Sequence, residues 1–427
     1  MNKVKKEDGF KKFLIIWLGE LISNIGSGMT AFGLGVYVWQ MTHSAVDVAM
    51  VEMAALLPMI LLCPAAGVLA DRFDRRLLMI LGDIVSAFGL IVMLVIMNIG
   101  HIKVWQICLC VGFGSAFAAL LDPAYKATIT DLLTEDEYAK ASGMVSIASS
   151  SKFLISPVIG GLILAASGIK LILAVDILTF VVTVAAIFSV RKSLAVKSQV
   201  KKEMNFFKDL KEGWLIILES KGVMLLIVLV SVLTFYMGFI QVLSKPMILS
   251  FASEKTTGIL QTVVACGVMV SSIMIGSGIL KSKYVNVMVA SFIVSGVTIA
   301  GFGATTSIPV IIISGFLFFA TLPYANTSID VLIRKSIDNE KQGRAWGLIS
   351  LISQLGYVVA FVLAGVLADY VFNPALAEGG VLADTVGRVI GTGETRGIGF
   401  LVVLAGLGLI ITALIISKSK SIREMEA

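Results

Sequence analysis

Apolar residues run through this chain in long blocks, and short polar breaks separate them. A helix that crosses the hydrocarbon core of a bilayer needs about 20 mainly apolar residues. On that scale the blocks predict spans over 13–39, 48–70, 77–99, 104–129, 143–166 and 169–190. After a longer polar break they predict spans over 222–250, 256–280, 285–304, 308–333, 343–368 and 397–417. The pattern therefore predicts an all-α membrane protein with twelve transmembrane helices. The first block follows Lys3, Lys5, Lys6, Lys11 and Lys12, as a secretory leader would. It continues to about Trp39, far beyond the roughly 7–15 apolar residues of a cleavable leader, and is expected to stay as the first span.

The basic residues test the count. Twenty-six of the 34 lysines and arginines fall at the N-terminus, at the C-terminus and in the even-numbered breaks between them. Five, Lys103, Lys170, Lys255, Arg388 and Arg396, fall in the odd-numbered breaks, and Lys126, Lys152 and Lys245 lie within spans. Loops rich in lysine and arginine stay in the cytoplasm, so both termini are expected there, in a multi-pass protein of the cytoplasmic membrane. Residues 191–221 form the long cytoplasmic linker. They divide the chain into a six-helix half over 1–190 and a second over 222–427. Within the linker Phe206, Phe207, Leu210, Trp214 and Ile217 recur at helical spacing against Lys208, Lys211 and Glu212. That pattern fits an amphipathic helix in the headgroup region, or a plain tether. Residues 370–396 form the one long external loop, rich in glycine, with no domain expected in it.

The halves are weakly alike. Gly143 and Gly161 of span 5 recur in register as Gly347 and Gly365 of span 11, and Ser149 as Ser353. Pro123 of span 4 has a rough counterpart in Pro323 of span 10. Duplicated halves of this kind place a substrate site at their interface in many secondary transporters.

Composition narrows the chemistry. The chain is 57% hydrophobic and 15% charged, against about 25% charged for a soluble domain. A net charge of +6 would fit a nucleic-acid partner, but the basic residues sit in short loops between apolar runs, where they orient a membrane protein. Cys63, Cys108, Cys110 and Cys266 lie inside apolar runs and are expected as free thiols. His43 and His101 fall in breaks far from them, so no metal site is expected. No phosphate-binding loop of the G-x-x-x-x-G-K-S/T kind occurs, and no constellation for an enzyme or a cofactor is present. The energy source that remains is an ion gradient, most simply of protons.

Ionisable residues inside a membrane are costly and usually functional. Glu20 lies in span 1 with Asn24 one turn further on the same face; Glu52 is in span 2, Asp83 in span 3, Asp122 in span 4, Lys152 in span 5 and Asp176 in span 6. Nearly all belong to the first half, with Lys245 and Asp330 toward span ends in the second, so proton handling is assigned to the first half. Local pairing competes with that role. Asp122 and Lys126 are spaced i, i+4, Asp83 is placed to anchor packing, and Lys152 can neutralise a facing acid. Glu20 has no basic residue within two turns. It is therefore assigned as the carboxylate for protons and cationic substrate, with Asn24 beside it and Glu52, Asp122 and Lys152 as further members. Phe113 and Phe117 in span 4, with Phe235, Tyr236 and Phe239 in span 7, either line an aromatic substrate cavity or face lipid.

Between spans 2 and 3 stands Gly67-Val68-Leu69-Ala70-Asp71-Arg72-Phe73-Asp74-Arg75-Arg76. Gly67 permits close helix approach, and Asp71 can pair with Arg75 or accept from a helix N-terminus. Such contacts would hold the cytoplasmic side closed and release it when the site faces inward, a gate formed by Gly67, Asp71, Arg72, Arg75 and Arg76. The corresponding stretch of the second half, 276–283, lacks the acid, so the gate is expected to be asymmetric. The loop resembles the G-x-x-x-D-R/K-x-G-R/K-R/K loop of the major facilitator superfamily, with Asp74 where the family carries glycine. Ser156-Pro157-Val158-Ile159-Gly160-Gly161 is similar to the tail of the G-P-x-x-G-G antiporter motif, with Ser156 in place of the first glycine. Pro157 can kink the helix, and Gly160 and Gly161 allow it to pack tightly.

Trp17-Leu18-Gly19-Glu20, Ser44-Ala45, Leu57-Pro58, Pro64-Ala65-Ala66-Gly67 and Arg396-Gly397-Ile398-Gly399 extend the likeness. The whole chain resembles the major facilitator superfamily and, within it, bacterial macrolide-efflux-type drug:proton antiporters. The resemblance implies the major facilitator fold in two six-helix halves. It also implies export of small amphipathic drug-like compounds, a macrolide-type antibiotic among them, by proton antiport from a monomer in contact with lipid. That group often carries glutamine at the position of Glu20, and many drug antiporters carry an arginine in span 4 where this chain has only Lys126 nearby. Two further functions fit the same residues: export of an endogenous metabolite or siderophore, and uncoupled flipping or sensing of lipid.

Overall fold

The computed structural model describes residues 2–190, 214–215, 217–218, 221–278, 283–337 and 339–426. Among the described residues it is helical, without a strand. Helices α1 (Asn2–Thr42), α2 (Ala45–Arg72) and α3 (Arg75–Ile99) are followed by α4 (Val104–Ala118), α5 (Leu121–Leu132), α6 (Glu135–Leu154), α7 (Ser156–Ser167) and α8 (Ile169–Val190). Then come α9 (Lys221–Leu249), α10 (Glu254–Gly276), α11 (Tyr284–Ala304), α12 (Ile308–Ser336), α13 (Asn339–Leu367) and α14 (Arg396–Lys418). Among the described residues, twelve segments are long and apolar enough to cross a membrane, α4 with α5 and α6 with α7 each counting as one.

The two divided spans have a local cause. Pro157 sits at the start of α7 and has no N–H to offer the preceding turn, so the helix of span 5 is interrupted at Ile155. Beside the break, the Ser156 hydroxyl shares its proton between the Ile25 carbonyl of α1 at 2.9 Å and the Ser151 carbonyl at 3.3 Å. Span 4, expected as one helix, is interrupted at Ala119–Leu120, just before Pro123. Span 11 runs further than its apolar pattern indicated. A π-helical turn over Ala368–Phe372 carries it into a short helical turn, Asn373–Leu376. The expected external loop therefore begins as helix. Asn373 Oδ1 accepts the Ile398 N–H at 3.1 Å and so holds this turn against the start of α14.

The chain forms two compact units. The first comprises Met1–Gln40, Met50–Met204 and Ser253–Thr262; the second comprises Met41–Ala49, Asn205–Ala252 and Val263–Ala427. Each unit thus includes a short piece from the part of the sequence that otherwise builds the other. Most of the linker, with the amphipathic pattern of Phe206, Phe207 and Leu210, lies outside the described residues. Trp214 and Ile217 are helical, the first exposed and the second buried.

In the first unit α3 packs on α4, α5 and α8. Its core joins Ile16 of α1, Leu78, Met79 and Ile80 of α3, Ala124 and Tyr125 of α5, and Ile187 of α8. Lipid tails are as apolar as leucine, so close approach of backbones and polar contacts decide which spans meet. A methyl group added at Gly19 would lie 3.2 Å from Ala186 Cβ, and one at Gly26 would lie 2.6 Å from an Asp176 oxygen, which fixes α1 against α8. In the second unit α11 and α14 meet at two such points: a methyl group at Gly296 would lie 2.6 Å from the Gly406 oxygen, and one at Gly399 2.6 Å from the Gly303 oxygen. Large apolar side chains such as Phe88, Ile99, Leu109, Leu178, Ile411 and Ile415 remain exposed, as a protein solvated by hydrocarbon requires.

Candidate functional site

Charged and hydroxyl side chains converge inside the first unit. On α1, Asn24 donates to the Glu20 Oε1 at 3.0 Å and to the Glu20 carbonyl at 2.9 Å, one turn apart, so the amide rests on the carboxylate as its spacing indicated. Both side chains are half-buried, and Glu20 makes no ion pair among the described residues. Lys152 attracts Glu20, and Asp122 repels it. Asp122 itself is exposed and bound to Lys126 Nζ at 2.7 Å, the i, i+4 pairing that competed with a proton role for it. Glu52 is half-buried in α2, in the same unit.

Deeper in the unit, Asp176 of α8 is 2% exposed. Thr30 donates to its Oδ2 at 2.6 Å and Ser27 to its Oδ1 at 3.4 Å, while the Thr179 hydroxyl shares its proton between the Asp176 carbonyl at 2.7 Å and Oδ1 at 3.2 Å. Lys152 also attracts this carboxylate. Three hydroxyl donors replace the water that an anion loses on burial. Their signal in the sequence is the recurrence of Ser23, Ser27 and Thr30 on α1, and of Thr179 and Thr183 one turn apart on α8. Asp83 of α3 is 1% exposed, and its Oδ2 has no hydrogen-bond partner among the described residues. Of the assigned members, Glu20, Asn24, Asp122 and Lys152 therefore belong to one electrostatic neighbourhood, which Asp83 and Asp176 complete.

The described part of the gate loop includes Arg75 and Arg76. Arg75 Nη1 meets Asp131 Oδ2 at 2.6 Å and the Ala127 carbonyl at 3.1 Å, which ties the start of α3 to the end of α5. Asp131 is 56 residues away and had no assigned role. Asp74 caps α3: its side chain accepts the Arg76 N–H at 3.1 Å. The departure from glycine at this position thus has a local structural purpose. Arg76 Nε also lies 3.7 Å from the Asp74 Oδ1. The side chains of Gly67, Asp71 and Arg72 lie outside the described residues.

The antiporter-like segment packs on two sides. Gly160 faces Met29 and Phe32 of α1, and Gly161 faces the Glu254 carbonyl and Gly258 of α10, all within the first unit. In the second unit, Asp369 in the π-helical turn accepts from the Ser44 hydroxyl at 2.8 Å and from the Ala45 and Val46 N–H groups at 3.0 and 2.9 Å. An acid at the C-terminal end of a helix opposes that helix's dipole. That mismatch is the sequence signal that Asp369 serves the N-terminus of another helix.

The aromatic residues form two separate groups. Phe113 and Phe117 lie 5.4 Å apart between centroids in the first unit, with Phe113 exposed. In the second unit Phe235 contacts Tyr236 at 5.4 Å and Phe239 at 4.7 Å. Phe239 is only 4% exposed.

Comparison with known proteins agrees with this architecture. The sequence profile described as Major Facilitator Superfamily matches residues 16–360. Macrolide efflux protein A of Streptococcus pyogenes is 24% identical over 362 residues, covering 84% of this chain and 89% of that protein. Multidrug resistance protein 2 of Bacillus subtilis is 25% identical over 400 residues, 90% and 94% of the respective chains. Among solved structures, the nucleoside transporter NupG superposes with a TM-score of 0.72 at 12% identity, covering 96% of this chain and all of that one.

Proposed function

The chain belongs to the major facilitator superfamily, and from that premise we propose that it exports small amphipathic drug-like compounds, macrolide-type antibiotics among them, in exchange for protons. It works in the cytoplasmic membrane of a bacterium, as a monomer with both termini in the cytoplasm. The observation that carries this is the half-buried Glu20, which has Asn24 as a neutral donor and no ion pair among the described residues. A carboxylate so placed can hold a proton or a cationic group, but not both. Binding one therefore displaces the other, which is the exchange that antiport requires. The Gly67–Arg76 loop closes the cytoplasmic side in one state of the cycle, and the tight packing of α7 at Gly160 and Gly161 limits leakage of protons. The macrolide efflux named for the Streptococcus relative and the multidrug resistance named for the Bacillus relative favour drug-like cargo.

Everted membrane vesicles containing a pH-sensitive dye test the proposal. Adding a macrolide, or the lipophilic cation tetraphenylphosphonium, should release protons from vesicles with this protein, and Glu20→Gln should abolish the release. Unchanged release in that variant removes Glu20 from the mechanism. Movement of the compound without protons in the unsubstituted protein removes antiport and leaves a facilitator.

A further inference from the structure

Asp83 is a buried acid that the mechanism above does not use. It lies in the interior of α3, next to Gly82, whose bare Cα accepts Leu121 of α5 at close range. Its side chain is shut away from solvent, and its Oδ2 finds no donor among the described residues. Ionised, such an oxygen would forfeit its hydration with nothing in return. The neutral acid avoids this, because its O–H is itself a donor.

Among the described residues, no compensating cation acts on Asp83. The charged groups that act on Asp83 are Glu20 and Asp176, and both repel a negative charge there. On α5, which packs against α3, Lys126 is bound to Asp122, while Asp131 is bound to Arg75. Tyr125 of α5 is neutral, and its buried hydroxyl also lacks a partner among the described residues. On α8, Lys170 donates to Asn98 Oδ1 at 2.8 Å, and Asp176 is an acid. On α4 the titratable side chains are the thiols Cys108 and Cys110. Lys152 acts on Glu20 and Asp176.

We propose that Asp83 is a second proton-binding site of the first unit, distinct from Glu20, which holds a proton in the conformation described and gives it up during the transport cycle. The inference rests on proton exchange as proposed above. In the step itself the O–H bond of the carboxylic acid breaks, the proton leaves to water as hydronium, and a carboxylate remains until a proton returns from the opposite side. Asp83 and Asp176 then divide the work. The three hydroxyls around Asp176 suit an anion that persists, whereas the bare Oδ2 of Asp83 suits a group that alternates.

Infrared difference spectra of the purified full-length protein in lipid, recorded between acid and alkaline pH, test this without any transported compound. The C=O stretching region of protonated carboxylic acids should contain a component that vanishes in Asp83→Asn and survives in Glu20→Gln. Spectra of Asp83→Asn that superimpose on those of the unsubstituted protein overturn the proposal. If Asp83→Asn does not fold, Asp83→Glu replaces it: the component should then shift in frequency, and an unshifted component overturns the proposal equally. The vesicle assay separates the two ideas. Proton-free transport by the unsubstituted protein sinks antiport, while coupled transport with no Asp83 component sinks this inference alone.

Discussion

Asp369 accepts the backbone N–H of Ala45 at 3.0 Å, so an acid at the far end of span 11 caps the N-terminus of α2. The Val46 N–H and the Ser44 hydroxyl complete the contact. The first turn of α2 needs acceptors for its N–H groups, and a charged acceptor is the strongest available. Asp369→Ala should lower stability by about 1–2 kcal/mol. Ser44→Ala should cost less, and the double variant should fall short of the sum because the two side chains share one cap. Thermal unfolding of the purified protein in detergent measures all three.

Thr30 and Asp176 give a second test. Thr30→Val removes the 2.6 Å hydrogen bond from a carboxylate that is shut away from solvent. The loss should be about 1–3 kcal/mol, since one of three donors disappears while the acid stays buried. Thr30→Ser retains the hydroxyl and should recover most of it. Equal losses in the two variants would show that the methyl group, and not the hydrogen bond, is what matters.

Two glycines of span 5 should behave in opposite ways. A side chain at Gly161 would place its Cβ 2.7 Å from the Glu254 carbonyl oxygen, a backbone atom that cannot swing aside. At Gly143 a Cβ would meet nothing within 4 Å. Gly161→Val should therefore reduce the folded yield and the melting temperature sharply. Gly143→Ala should be neutral or stabilising by up to about 1 kcal/mol, through helix propensity.

The Arg75–Asp131 pair is open to a charge swap. Asp131→Arg alone should weaken the junction of α3 with α5, and adding Arg75→Asp should restore part of it. A coupling of about 0.5–1 kcal/mol is expected for this half-buried pair. A double-variant cycle on thermal stability reads it, and zero coupling would remove the pair from the gate.

The spans were legible because a bilayer imposes a length on apolar helices, and that length is written in runs of consecutive residues. The kink at Pro157 was legible for a similar reason, since a missing N–H is a local property. Contacts between distant residues left weaker traces. The expected pairing of Asp71 with Arg75 lies outside the described residues, whereas Arg75 also meets Asp131 of α5, a partner that no local spacing reveals. The Glu20–Asn24 contact was read correctly because both residues share one face of one helix. The hydroxyl shell of Asp176 comes from two helices and becomes visible only once Gly26 lets them touch. Aromatic residues were ambiguous, because the same rings serve lipid, packing and cargo.

The glycine contacts between α11 and α14 bear on how the second unit can move. Gly296 meets Gly406, and Gly303 meets Gly399, so two rivets seven residues apart fasten this antiparallel pair backbone to backbone. One rivet would allow a pivot, but two forbid both sliding and rolling. Spans 9 and 12 must therefore travel as one plank through any change of shape, and the hinges of that unit have to be sought in its other four spans.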